Sequence, residues 1–294
     1  MTELVDIIRK QKIHNSKVEI TTNLTVTYVS WLEQIITLQS YSIFAKILCM
    51  IKQSTINNME SGEQPATENN IKKMFQAGAH LGYNHARRNP SVIPYILTTK
   101  NKTDIINLEK TILLLDKVTQ FVKKVREENK QIIFVGTKPE AKMIIKNAAI
   151  ELGMPYVIER WIGGSITNWS EIKKRIEKLI DLKDKKQKGE LEKYTKKERL
   201  MIDREIDKLE KYFGGMINMK KVPDIMFVID SKHEAIAIKE AKINKVPVIS
   251  LSSTDCNIRE VDYPIVGNDN ARSSIQYFVD EIVGAYKQQD KRDK

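Results

Sequence analysis

Two stretches of the sequence combine cations with aromatic rings, a combination that suits the binding of nucleic acid. Arg87 and Arg88 lie beside a tyrosine and two histidines in the segment 80–90, whose Gly, Asn and Pro content predicts a loop. Arg160 and Trp161 precede a Gly-Gly pair, and Trp169 ends the same stretch. Guanidinium groups bind phosphate, and flat rings stack on bases or pack on an apolar wall. A plain corner between a strand and a helix explains the second stretch equally well.

Lys138 lies where one further phosphate could bind. It follows the apolar run 131–136, and Thr137 and Glu140 have the spacing of a capping box, which predicts that a helix begins here. A helix N-terminus beside a lysine can hold an anion, including a phosphate of RNA. The turn lacks both glycine-rich fingerprints that bind a pyrophosphate or a triphosphate, so no nucleotide cofactor is expected.

Histidine and acidic residues do not combine into a catalytic or metal-binding set. His80 and His85 have a spacing that does not place them on one helix face, and no neighbouring acid or cysteine completes a site. Carboxylates such as Asp230 lie at predicted strand ends, but no nucleophile and base share a fixed spacing. We therefore expect no enzyme activity, no metal and no cofactor.

The composition indicates a basic globular protein with a polyanionic partner. The 294 residues include 49 Lys and Arg against 38 Asp and Glu, a formal net charge of +11. RNA or DNA is the first candidate partner, and a basic protein without such a partner is the alternative. Cys49 and Cys256 are the only cysteines, which excludes a disulfide framework and favours a reducing compartment. The most apolar stretch, 26–51, is interrupted by Glu33 and Lys46, so no membrane span is expected.

The N-terminal part differs in composition from the rest of the sequence. Residues 1–61 contain neither Gly nor Pro, and a polar linker begins at Met59. We treat 1–69 as an N-terminal extension and linker of uncertain origin. Our hypothesis is that Met59 is the natural start and that 1–58 is an addition or a mis-assigned upstream reading frame. A native helical extension is the alternative.

From residue 70 to residue 287, apolar strand patterns alternate with helical patterns. Strands are predicted at 95–98, 104–107, 131–136, 156–159, 224–230 and 246–251, with a basic turn at 100–102. Helices are predicted at 71–79, 108–128, 140–152, 234–243 and 271–286. The alternation indicates an α/β fold with a doubly wound, mostly parallel sheet that is covered by helices on both faces. Residues 288–294 form a basic tail.

A charged segment at about 168–214 interrupts this alternation. Its two apolar stripes, at 172–179 and 202–213, flank a polar bend and predict an inserted antiparallel coiled-coil hairpin. Asn168, with Glu171 three positions later, predicts a cap for the first arm. At 1.5 Å per residue, each arm would extend roughly 25 Å. Lys173 and the other lysines of the arms could face RNA or simply solvent.

A series of motifs from about Ile71 to Tyr286 resembles the bacterial ribosomal protein S2 family of the small subunit. The motifs are Ala77–Gly82, Asn101–Thr111, Phe134–Lys138, Arg160–Trp169, Thr195–Glu198, Leu209–Gly215, Pro223–Asp230, His233–Ala241 and Gly267–Asn270. Each motif is weak by itself, but their number and order make the resemblance specific. The loop at 83–85 and the short C-terminal tail depart from the family pattern, and residues 1–58 stay outside the match.

The resemblance implies a non-enzymatic component of the small ribosomal subunit, with an α/β domain and a protruding coiled-coil hairpin. Members of the family bind small-subunit ribosomal RNA at the junction of head and body, next to other small-subunit proteins. They help to recruit ribosomal protein S1 and so support translation initiation. A cytoplasmic location in this ribonucleoprotein follows, and the matrix of an organelle is the other possibility.

The motif positions extend the set of expected RNA-facing residues. They are Arg87, Arg88, Lys100, Lys102, Lys138, Arg160, Trp161, Asn168, Trp169 and Lys173. Trp161 could instead belong to the core and hold an RNA-facing loop, in which case its removal costs stability. The alternative function is a nucleotide-dependent enzyme, or a nucleic-acid binder with a second role, on the same sheet.

Overall fold

The computed structural model describes residues 64–287 of the chain. The predicted extension up to residue 63, including the proposed start at Met59, lies outside the described residues, as does the predicted tail at 288–294. None of the described helices is long and apolar enough to cross a membrane.

A small antiparallel sheet follows the first described helix. Helix α1 (Gln64–Gln76) precedes strands β1 (Leu81–Asn84), β2 (Ile96–Lys100) and β3 (Thr103–Ile106), which pair in the order β1-β3-β2. Asn101 and Lys102 have φ of 50° and 62° and form the turn between β2 and β3, so the predicted basic turn is confirmed. The prediction of a loop throughout 80–90 is wrong at β1, because backbone pairing with β3 makes this segment a strand.

The remaining elements follow the predicted alternation, with two consecutive helices in the charged segment. The helices are α2 (Leu108–Glu127), α3 (Lys142–Leu152), α4 (Trp169–Gln187), α5 (Lys196–Phe213), α6 (Ala235–Ile243) and α7 (Arg272–Lys287). The strands are β4 (Ile132–Val135), β5 (Tyr156–Val157), β6 (Ile225–Ile229), β7 (Val248–Ser252) and β8 (Tyr263–Val266). Strand β8 is missing from the sequence prediction because it contains Pro264, a residue that strands tolerate mainly at a sheet edge.

Strands β4 to β8 form a parallel sheet in the order β5-β4-β6-β7-β8. Numbered within the sheet, this order is 2-1-3-4-5, which is one of the orders of doubly wound sheets, and its direction reverses between β4 and β6. Strands β4, β6 and β7 are buried along their whole length, as parallel strands covered on both faces should be. The predicted α/β fold with a parallel sheet is confirmed.

Alternate residues of the central strands belong to two different apolar cores. Ile132 and Phe134 pack with α2, α3 and α7 on one face of the sheet. Ile133 and Val135 pack on the other face with α6 and with apolar residues of α4 and α5. This division follows from the two-residue period of a strand. Helices therefore cover both faces of the sheet, as predicted.

Helices α4 and α5 contact each other along an apolar stripe whose residues also belong to the core on the α6 face. Ion pairs join the exposed sides of the two helices, with Lys183 at 2.7 Å from Glu210 and Lys186 at 2.7 Å from Asp203. Pairs of this exposed kind contribute at most about 1 kcal/mol each, so the apolar stripe provides most of the attraction. The buried residues of the stripe are Ile172, Ile176, Leu179, Ile206, Leu209 and Phe213.

The two helices begin differently. Helix α5 starts with a capping box, in which the Thr195 hydroxyl accepts the Glu198 backbone N–H and the Glu198 carboxylate accepts the Thr195 backbone N–H. At α4, Asn168 holds the predicted N-cap position, but the predicted capping bond is absent because its Oδ1 accepts the Ser170 hydroxyl instead. The first N–H groups of α4 are therefore left without a side-chain acceptor.

Candidate nucleic-acid interface

The segment 160–169 forms a corner between β5 and α4. Gly164 has a φ of 92°, a conformation that glycine adopts without steric cost. Trp161 is 5% exposed and packs into the core on the α6 face. Its indole N–H donates to Oε1 of Glu240 at 3.2 Å. Trp161 therefore holds the corner from inside and does not offer its ring to a partner, which corrects the expectation of an RNA-facing ring.

Glu240 of α6 fixes the corner through hydrogen bonds that no local motif revealed. Its carboxylate accepts the backbone N–H groups of Gly164 at 2.7 Å, Ile166 at 3.1 Å and Thr167 at 3.4 Å. Glu240 is 7% exposed, so these charge-assisted bonds lie away from water. Its spacing of three residues from the buried Ala237 was the available sequence signal for its burial.

The polar residues of the corner remain accessible. Arg160 is exposed and has no hydrogen-bond or ion-pair partner among residues 64–287. Asn168 is exposed, and Trp169 is half-buried against the same core as Trp161. Lys173 is exposed on α4, with its ammonium group 3.8 Å from a carboxylate oxygen of the same helix. The corner thus presents an exposed guanidinium group, unpaired within residues 64–287, and a partly exposed indole ring.

A second group of cations surrounds the turn between β2 and β3. Arg87, Lys100 and Lys102, called here the turn cluster, are exposed and have no ion pair within the described part of the chain. The backbone N–H of His85 donates to the carbonyl oxygen of Lys102 at 2.8 Å, which joins the 3-10 segment His85–Arg87 to the turn. Three cations at one end of a small sheet that no described carboxylate compensates favour an anionic partner.

Arg88 is engaged within the protein, unlike Arg87. Its Nε donates to Oδ2 of Asp104 at 2.7 Å, and its Nη2 donates to Oδ1 of the same carboxylate and to the Thr99 hydroxyl. Asp104 is fully buried, and the hydrogen bonds from Arg88 lower the pKa of Asp104. Because this guanidinium group neutralises a buried carboxylate, the geometry does not favour the expected contact of Arg88 with RNA.

Lys138 is also engaged, at the carboxyl edge of the parallel sheet. Its ammonium group lies 2.6 Å from Oδ2 of Asp230 and 2.9 Å from Oδ2 of Asp269. It also donates to Oδ1 of Asn270 at 3.1 Å, and Lys138 is only 9% exposed. Open α/β sheets bind ligands where the strand order reverses, and here this protein's own charges fill that place. The geometry favours neither the expected phosphate contact of Lys138 nor a nucleotide site at this edge.

The predicted capping box at Thr137 and Glu140 is wrong. The hydroxyl of Thr137 donates to the carboxylate of Glu234, which also accepts the Thr137 backbone N–H at 3.3 Å. Helix α3 begins at Lys142, and Ala141 holds the N-cap position without a side-chain bond. Glu234, from a distant part of the chain, has therefore taken the place of Glu140 as the partner of Thr137.

The two carboxyl groups around Lys138 differ in acidity. Burial opposes the ionisation of Asp230, but the hydrogen bond and the charge of Lys138 outweigh burial and lower the pKa of Asp230. For Asp269, burial outweighs the attraction of Lys138 and raises the pKa to about 7. Oδ1 of Asp269 is buried without a hydrogen-bond partner in the described structure, which agrees with a carboxyl group that retains its proton.

The raised pKa of Asp269 predicts a pH dependence of stability. Between about pH 4 and pH 7 the folded protein binds a proton that the unfolded chain has released. The free energy of unfolding should therefore fall as the pH rises through this window, by at most about 1.4 kcal/mol per pH unit. Urea denaturation at several pH values within the window measures this slope.

Asp269→Asn should flatten that slope, because an amide does not titrate. Asp207→Asn, at an exposed position of α5, is the matched control and should keep the wild-type slope. Equal slopes for the wild-type protein and Asp269→Asn would contradict the contribution of Asp269.

Comparisons with known proteins identify the family of this chain. The family described as Ribosomal protein S2 matches residues 74–289. Small ribosomal subunit protein uS2 of Idiomarina loihiensis is 42% identical over 218 residues, which cover 74% of this chain and 90% of that protein. The uS2 protein of Aeromonas salmonicida is 44% identical over 71% of this chain and 86% of its own length. The uS2 protein of a Picosynechococcus species is 40% identical over 73% of this chain and 84% of its own length. These relatives are named as ribosomal proteins and not as enzymes. As the ordered motifs implied, the chain belongs to the ribosomal protein S2 family.

Proposed function

We propose that this chain is a structural component of the small ribosomal subunit that binds small-subunit ribosomal RNA and supports translation. The observation that carries the proposal is the turn cluster, whose three exposed cations have no carboxylate partner among the described residues. The formal net charge of +11 agrees with a polyanionic partner. The uS2 relatives are named as small-subunit proteins, which supports ribosomal RNA as that polyanion.

A second RNA contact is proposed at the foot of α4 and α5. These helices form a coiled-coil hairpin at about 168–214, inserted in an α/β domain of residues 70–287. The regular burial of apolar residues at three- and four-residue spacing in both helices supports the coiled coil. Arg160, Asn168 and Trp169 are the accessible residues at the foot of the hairpin and would contact RNA there, with Lys173 one helical turn away.

The finer part of the proposal concerns position and partners. We place the chain at the junction of head and body, beside other small-subunit proteins, where it helps to recruit ribosomal protein S1 at initiation. This part rests on the family resemblance. Small subunits reconstituted with and without the chain provide the test, because S1 should co-sediment well only with the complete particles. Equal retention of S1 on both kinds of particle would contradict its recruitment by this chain.

Removing the turn cluster should weaken RNA binding without unfolding the protein. In the triple variant Arg87→Ala, Lys100→Ala, Lys102→Ala, we expect affinity for small-subunit ribosomal RNA to fall at least about tenfold at moderate salt. Each lost phosphate contact removes one set of released counterions, so the slope of log affinity against log salt should become shallower by about 2 to 3. Filter binding over a salt series measures both quantities.

A control variant with the same loss of charge tests whether position matters. Lys178, Lys185 and Lys186 are paired with carboxylates on the surface of α4 and α5, so their replacement by alanine removes three charges that the protein already compensates. This control should lose much less affinity, and the melting temperatures of both variants should stay close to that of the wild-type protein. Equal losses of affinity would show that net charge, and not the turn cluster, determines RNA binding.

A further inference from the structure

A cavity of about 550 Å³ lies between the corner and the adjoining parts of α4 and α5. Arg160 lines it from the corner, Arg175 from α4 and Lys208 from α5. It shares no residue with the turn cluster or with the charged group around Lys138. Its volume is within the range of sites that bind small ligands, so its lining indicates what could enter.

The charge of the lining favours an anion. The one carboxylate in the lining is that of Glu171, which already binds Lys174 at 2.7 Å. The hydrogen bond from Lys174 and, to a lesser extent, the charge of Arg175 lower the pKa of Glu171. Arg160 and Lys208 have no carboxylate partner within residues 64–287. The cavity is thus lined by cations from three different elements, and two of them have no carboxylate partner in the described part of the chain.

The start of helix α4 adds positive potential at the same place. Asn168 lines the cavity, and its side chain does not cap the helix. The first N–H groups of this 19-residue helix therefore keep their partial positive charge beside the three cations. Helix termini attract phosphate in this way, so the start of α4 adds to the attraction that the cationic side chains provide.

The remaining walls suit a flat, apolar group. Tyr212 and Ile162 are half-buried and line the cavity, and Phe213 closes it as a buried residue. An aromatic ring at the edge of a cationic site can stack on a nucleobase, since each base has a π face. The cavity therefore combines a place for phosphate with a place for a planar ring, which together are the two halves of a nucleotide.

We propose that this cavity binds one nucleotide, with its phosphate at Arg160, Arg175 and Lys208 and its base against Tyr212. The source of the nucleotide is an unstacked residue of a single-stranded RNA segment, and this choice of source rests on the proposed function. The same chemistry would accept a free mononucleotide, so the experiment must separate the two sources.

The test uses the full-length chain and a fluorescein-labelled single-stranded RNA pentamer, with anisotropy as the measurement. Tyr212→Leu should weaken binding about tenfold, in the range that removal of one stacking ring produces, and Tyr212→Phe should restore it. The double variant Arg175→Gln, Lys208→Gln should also weaken binding. The control variant, Lys197→Gln with Arg204→Gln, removes two exposed cations of α5 that lie outside the cavity. This control should bind the pentamer as tightly as the wild-type protein does. Melting temperatures identify any variant that has lost its fold.

Competition with adenosine 5′-monophosphate and inorganic phosphate distinguishes the ligands. Displacement of the pentamer by millimolar mononucleotide, but not by equal phosphate, supports a site for base and phosphate in RNA. If the protein binds the mononucleotide tightly but does not bind the pentamer, the proposal that the nucleotide comes from RNA is overturned. Equal displacement by phosphate would reduce the cavity to a plain anion site and overturn the place for the base. If folded Tyr212→Leu and the folded double variant both bind the pentamer with wild-type affinity, the cavity is not the binding site and the proposal is overturned. The turn-cluster variant tests the proposed function separately.

Discussion

Trp161→Ala should lower the free energy of unfolding by about 3 to 5 kcal/mol, the range found when a large aromatic ring is removed from a core. The ring is 5% exposed and packs with residues of the sheet, of α6 and of the α4–α5 pair, so its loss leaves a cavity shared by all of them. The variant also deprives the buried Glu240 of its indole donor. Urea denaturation followed by far-UV circular dichroism measures the change.

The neighbouring residue supplies the control for this prediction. Arg160→Ala removes an exposed side chain that has no partner among residues 64–287, so the free energy of unfolding should change by less than about 0.5 kcal/mol. RNA binding by Arg160→Ala should nevertheless weaken, because a free guanidinium group is lost. A Trp161→Ala protein with the wild-type unfolding midpoint would contradict the assignment of this ring to the core.

Lys138→Met should destabilise the protein at neutral pH by about 3 to 5 kcal/mol, as happens when one partner of a buried ion pair is removed. Asp230, and the part of Asp269 that is ionised at neutral pH, would then lie at the edge of the sheet without the ammonium group between them. Methionine has a similar length and adds no charge, so the loss of stability arises from the missing cation and not from a missing side-chain volume. The loss should shrink at lower pH, because protonation removes the repulsion.

A second substitution in the same cluster tests the interpretation. Asp269→Asn in the Lys138→Met background should restore part of the lost stability, since it removes a buried group that must either carry a charge next to Asp230 or take up a proton at neutral pH. The two substitutions should therefore be non-additive, and a double-mutant cycle gives their coupling energy. Strict additivity of the two losses, or a Lys138→Met protein as stable as the wild type at pH 7, would contradict a buried ion-pair cluster.

Most of the parallel sheet could be predicted from the sequence because its strands are continuous apolar runs. Strands β4, β6 and β7 lie within or overlap the predicted ranges, and their complete burial explains why their pattern is so clear. Strand β1 carries no such pattern, since it lies in a small sheet with partly exposed residues and exists through its pairing with β3. Edge position and Pro264 likewise concealed β8.

Sequence patterns identified the cations of the candidate site, but they did not show which of them are accessible and which are paired with carboxylates inside the protein. Arg87 and Arg88 are neighbours of the same residue type, yet among the residues that the structure describes only Arg88 pairs with a buried carboxylate. The partners of Lys138 include Asp269, 131 residues further along the chain, and those of Trp161 include Glu240, 79 residues away. No local motif contains such pairs, because the fold alone brings these side chains together.

The apolar stripe of α4 and α5 has a mechanical consequence. Its residues share one core with Val135 and Val228 of the sheet, so the lower half of the helix pair is anchored in the same packing that holds the strands. The 19 residues of α4 extend about 28 Å at 1.5 Å per residue, and the buried stripe occupies mainly the half nearer the corner. A force applied at the distal end of the helix pair is therefore transmitted to the core that the stripe shares with the sheet. Excision of the pair would expose the part of this face that α6 does not cover, so the helix pair and the sheet should unfold as one cooperative unit.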